Sequence, residues 1–115
     1  MSQNDLIYRT ITQDDRRTAF ADELIKEDGT KVDLTGNTVA FRMTKKADDM
    51  VVINDVAATI DSAINGQVSY SWAALDVANT GLFHYWWIVT LTATGTKEHF
   101  PGDGKKRLLE IVAKV

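Results

Sequence analysis

The chain carries two imidazoles, His84 and His99, and no cysteine. Acyl-transfer chemistry needs a Ser or Cys nucleophile, an imidazole base and an orienting carboxylate within reach of one another. No serine stands in the Gly-x-Ser-x-Gly turn that presents such a nucleophile. His84 lies inside an alternating run and His99 just before Phe100-Pro101, so both read as ordinary strand residues. Their spacing is not that of paired ligands on one helix face, which argues against a zinc centre. Asp14-Asp15 and Asp48-Asp49 are adjacent carboxylates, and neighbours on a strand point to opposite faces, so neither pair converges on one proton or one metal ion. No twelve-residue calcium loop is present. Gly102-Asp103-Gly104-Lys105-Lys106 has glycines and lysines but not the spacing of a phosphate loop, and a strand-like run follows it where a helix would be required. The expectation is a protein with no catalytic residue, no metal and no cofactor, and therefore not an enzyme.

The charge balance narrows the partners. The 115 residues sum to a net charge of −3, with 25% charged and 44% hydrophobic residues, which is ordinary globular usage and offers no general attraction to nucleic acid or anionic lipid. Two basic groups, Lys45-Lys46 and Lys105-Lys106-Arg107, have no aromatics interleaved and read as solvated edges that discourage strand pairing. Val77–Thr96 has the length of a membrane span and no charge apart from His84, but Asn79, Gly81, Gly95 and its alternation mark it as strand. The opening MSQNDLIYRT has no apolar run and is not a secretory signal, and a cysteine-free chain suits a reducing cytoplasm. No nucleic acid and no membrane partner are expected.

The elements that would position any site are short and extended. Turn signals recur at Asp28-Gly29, Thr35-Gly36, Asn65-Gly66, Thr80-Gly81, Thr94-Gly95 and Pro101-Gly102. Between them lie runs rich in β-branched and aromatic residues. In Leu82–Ala93, one alternating set is Phe83, Tyr85, Trp87, Val89, Leu91 and Ala93, all apolar and expected to be core. Val39, Phe41 and Met43 alternate with polar neighbours, as do Val68, Tyr70 and Trp72. Leu6–Thr12, Val51–Ile53, Val56–Ile60, Thr96–Phe100 and Leu108–Val115 are further strand candidates. Asp14–Lys26 can be drawn as a strand or, through Phe20, Ala21, Leu24 and Ile25, as a helix, and the surrounding β pattern favours the strand. The pattern predicts an all-β, two-sheet antiparallel sandwich of about seven or eight strands. A single domain over residues 1–115 is expected, with 1–15 as an N-terminal arm or first strand.

If Phe83, Tyr85 and Trp87 point inward, then His84, Trp86 and Ile88 point outward. An outward Trp beside an Ile is what protein interfaces use, so these three form the candidate interface, unless a neighbouring segment covers them. The competing reading is a carbohydrate-binding module, since sugars stack on flat aromatics and the chain has Tyr8, Tyr70, Trp72, Tyr85, Trp86 and Trp87. Most of these fall on expected core faces, leaving Trp86 as the one good platform.

In order along the chain come Asp28-Gly29, Val32-Asp33-Leu34-Thr35-Gly36 and Thr38-Val39-Ala40-Phe41-Arg42-Met43. Gly66-Gln67-Val68-Ser69-Tyr70-Ser71-Trp72, Asp76, Gly81-Leu82-Phe83, Trp87-Ile88-Val89-Thr90, Phe100-Pro101 and Gly104 follow. In this order and spacing, from Thr18 to Val112, they resemble the Ig-like domain at the N-terminus of phage baseplate upper proteins and related tail proteins. The resemblance implies a structural or docking protein of a tailed-phage virion, in tail, baseplate or neck. It would be made in the host cytoplasm and would contact other virion proteins or further copies of itself. Two departures stand out: Phe83 occupies the place of a tyrosine that would tie the corner after Asp76, and Trp86 and Ile88 stand where polar residues are usual. Such domains are usually joined to fibre or coiled-coil segments, and none follows here, so a docking or adaptor role without a receptor-binding tip is expected.

Overall fold

The computed structural model describes residues 8–26, 28–73, 75–100 and 107–114. The expected turn at Gly102–Lys106, the lysines Lys105 and Lys106, and the first residues of the Leu6–Thr12 run lie outside the described residues. Among those described, every regular element is a strand: β1 Tyr8–Thr12, β2 Phe20–Glu23, β3 Thr38–Lys45, β4 Val51–Ala57, β5 Thr59–Ser62, β6 Gln67–Tyr70, β7 Gly81–Thr90, β8 Lys97–Phe100 and β9 Arg107–Val112. They form a six-stranded sheet ordered β1-β9-β7-β3-β4, with β8 also paired to β7, and a three-stranded sheet ordered β2-β6-β5. The two sheets enclose one core, as the alternation predicts.

β7 organises the larger sheet because it is long enough to serve two partners on one side. Its first half, Gly81 to Tyr85, pairs with β9, and its second half, Trp87 to Thr90, pairs with β8. On its other side it pairs with β3 along the whole length of that strand, Thr38 opposite Thr90 to Lys45 opposite Phe83. This register stacks Phe41 beside Trp87 and Met43 beside Tyr85 on the inner face.

Three details differ from the pattern read in the sequence. First, the sandwich is not wholly antiparallel: β1 runs parallel to β9, Tyr8 opposite Leu108 through Thr12 opposite Val112. The two strands belong to opposite ends of the chain, so no hairpin turn dictates their direction. Second, there are nine described strands, and the expected break between Val51–Ile53 and Val56–Ile60 falls later, at Ala58. Asp55, at φ 53°, absorbs a register shift against β3 and lets β4 run on to Ala57. Third, β7 stops at Thr90: Leu91 accepts turn hydrogen bonds from the Thr94 and Gly95 amides, so Ala93 sits exposed in a turn and is not core. The ambiguous Asp14–Lys26 segment yields strand β2, with Phe20 and Leu24 buried and Ala21 and Ile25 exposed, which excludes the helical stripe.

The core is an aromatic cluster wedged between the sheets. Phe20 meets Tyr85 edge-on at 4.8 Å, Phe41 stacks on Tyr70 at 4.9 Å, and Phe41 lies 4.6 Å from Trp87. Such pairs add roughly 0.5–1.5 kcal/mol each beyond simple area burial. Two polar ties close the cluster. Asp22 accepts the Trp87 indole N–H at 3.1 Å and an Arg107 N–H at 2.8 Å. Asp76 accepts both the Tyr70 hydroxyl and the Ala73 amide at 2.7 Å. The corner tie that Phe83 cannot make is thus supplied by Tyr70, from the opposite sheet. Gly66 is required where the β5–β6 turn meets β2: at φ 66° a Cβ there would stand 2.8 Å from the carbonyl oxygens of Leu24 and Val32.

Candidate docking face

The even-numbered residues of β7 lie on the side of the large sheet away from the core, and the strand register fixes their neighbours. His84 sits between Thr44 of β3 and Leu108 of β9. Trp86 stands beside Arg42, whose guanidinium carbon is 5.8 Å from an indole ring centroid. Ile88 lies between Ala40 of β3 and His99 of β8. All three candidate interface residues therefore share one face, and they differ in access. His84 and Trp86 are half-buried, whereas Ile88 is only 5% exposed, so it does not offer the accessible surface expected of it. A short β-branched side chain with strands on both flanks and an indole two residues away on the same face is enclosed by its neighbours.

One row of this face is uncharged, while Glu110 beside Leu82 and the Arg42–Asp55 pair put charge around it. One cross-sheet row reads Val51, Thr44, His84 and Leu108, with no carboxylate, ammonium or guanidinium in it. Val51 is 41% exposed, and Leu82, two residues from His84 on the same face, is 40% exposed. The Thr44 hydroxyl is buried without a hydrogen-bond partner among the described residues. Arg42 is held at the border by the Asn54 side-chain oxygen at 2.7 Å and the Asp55 carboxylate at 3.0 Å. Its position over Trp86 is worth roughly 0.5–1 kcal/mol at such a site. Val51 and Leu82 were missed in the sequence because they lie on other rows or at a strand end. Alternation from the buried Ile53 would put Val51 on the inner face; the register shift between Met43 and Thr44 brings it opposite Thr44 on the outer one.

Of the aromatics named as sugar platforms, Tyr70, Trp72, Tyr85 and Trp87 are buried in the core, and Trp86 alone of the tryptophans is partly open. His99 is exposed and on the same side as Ile88. Among the described residues no group of three His, Asp or Glu side chains is arranged to hold a metal ion. No helix among them is long and apolar enough to cross a membrane, and the Val77–Thr96 stretch contains β7.

A family model described as the BppU N-terminal domain matches residues 2–85. The match starts upstream of the Thr18–Val112 span that carries the resemblance in the sequence, and it ends within β7. It covers strands β1 to β6 and the half of β7 that bears His84. No curated protein matches the chain.

Proposed function

The chain belongs to the BppU N-terminal domain family, a structural domain of the phage baseplate and hence of the virion, and from that premise we propose that it docks to a neighbouring baseplate protein through the outer face of its large sheet. The observation that carries this reading is the set of partly open side chains Val51, Leu82, His84 and Trp86, seated around the buried Thr44 and Leu108. A Trp among partly exposed apolar side chains, with Glu110 and the Arg42–Asp55 pair at the rim, is the composition of an interface core inside a polar border. Ile88 supports the patch from beneath.

The reading is tested by Trp86→Glu, introduced into the phage and into the purified protein. The expected outcome is a folded protein that fails to enter virions. Normal virion assembly with a monomeric purified variant would show that the face is not used. Titrating tryptophan fluorescence with host-wall polysaccharide separates this role from sugar binding: docking predicts no response.

A further inference from the structure

A second surface, independent of the outer face, lies where both sheets end on the same side. β1 closes one end of the large sheet and β2 one end of the small sheet, and neither has a strand on its outer side among the described residues. Between them is a cavity of about 280 Å³, walled by Arg9, Thr10 and Thr12 of β1 and by Thr18, with Phe20 and Trp72 behind. One side chain spans the opening: Arg9 donates to the Ala21 carbonyl at 2.7 Å while its guanidinium carbon lies 4.0 Å over the Phe20 ring. Beneath it, Asp22 is shared between Trp87 and Arg107. The Tyr85 hydroxyl, on a residue with no exposed surface, lies within reach of Arg9, and the Arg107 Nε has no hydrogen-bond partner among the described residues.

The local charge is opposite to that of the whole chain. The protein is acidic at −3, yet Arg9, Arg16 and Arg17 border this opening and the adjoining hollow. Asp15 also lines the opening, its carboxylate accepting the Arg17 amide, and Asp14 is paired with Lys114 at 2.8 Å, so Arg9, Arg16, Arg17 and Lys114 outnumber Asp14 and Asp15 across the two hollows. Asp22 offsets only one of the two guanidiniums, Arg9 and Arg107, that flank the core here. A cationic mouth selects an anionic guest. At about 280 Å³ the cavity sits at the lower end of the roughly 300–1,000 Å³ of small-molecule sites and holds one or two side chains. The outer edge of β1 supplies the main-chain hydrogen bonds that hold an extended segment, and β2 faces it across the opening with its Ala21 carbonyl already taken by Arg9. We infer that the β1–β2 opening receives an extended segment of another virion protein, which pairs with a sheet edge and places an acidic side chain against Arg9.

Main-chain pairing tolerates sequence, so a generic strand is a fair probe. The acetylated hexapeptide Thr-Val-Glu-Val-Thr-Val and its Lys-for-Glu counterpart are titrated into the full-length isotope-labelled protein. The Glu peptide is expected to shift the amides of Thr10, Ile11, Thr12 and Ala21, and to bind at least about tenfold more tightly than the Lys peptide, a difference that added salt erodes. Arg9→Gln should bring the Glu peptide down to the level of the Lys peptide, and Arg9→Lys should restore most of the preference, which separates charge recognition from a folding defect. Equal affinity for both peptides, no shift at these amides up to about millimolar peptide, or shifts confined to the β4 edge would overturn the inference.

Discussion

Trp86 and Trp87 are neighbours in β7, yet they do different work. Trp87 has no exposed surface, packs on Phe41 at 4.6 Å and donates its indole N–H to Asp22. Trp86 faces the other way, half-buried beside Arg42 on the outer face of the sheet. A single step along an extended chain exchanges one face for the other, so the same residue type serves cohesion at one position and contact at the next. The inner face should therefore govern stability and the outer face assembly.

The sharpest way to break that division is at the centre of the inner face. Trp87→Ala should destabilise the fold by about 3–5 kcal/mol, read from a urea unfolding curve, since it removes the largest fully buried side chain and leaves a cavity. A loss under about 1 kcal/mol would mean that the sheets do not close over it. Next comes Asp22→Ala, which strips partners from both Trp87 and Arg107 and should cost about 1–3 kcal/mol on the same curve. Tyr70→Phe should cost about 1 kcal/mol and also change the alkaline limb of stability. Burial first, and then the hydrogen bond and charge of Asp76, push the Tyr70 phenol well above its ordinary 10.0, and burial raises Tyr85 in the same direction. The folded state thus keeps protons that the unfolded chain releases. Stability is intact below the ordinary phenol range and falls as pH rises above it. In Tyr70→Phe that fall should be shallower, with Tyr85 supplying the remainder. The smallest effect is expected outside: Trp86→Ala should alter stability by no more than about 1 kcal/mol.

Much of this division is legible in the residues themselves. Alternation in β3, β6 and β7 marks which side chains face inward, and Asn65-Gly66 and Thr94-Gly95 mark where the chain turns. Periodicity reports a face but not a neighbour. It does not reveal that β1 pairs in parallel with β9, that Val51 lies across from Thr44, or that Arg9 reaches Ala21, because these depend on contacts between distant segments. It also cannot distinguish facing away from the core from being accessible. Ile88 does the first and not the second, since strands flank it on both sides. The run of β4 past Asp55 was hidden for a different reason: a non-glycine residue at positive φ preserves pairing between two short runs that read separately in the sequence.

Hydroxyl-radical footprinting of the tryptophans, in the free protein and in intact virions, tests the division most directly. Free protein should show oxidation at Trp86 with Trp72 and Trp87 protected, and virions should show Trp86 protected as well. Oxidation of Trp87 as fast as Trp86, or of Trp86 at the same rate in virions as in free protein, would contradict the account.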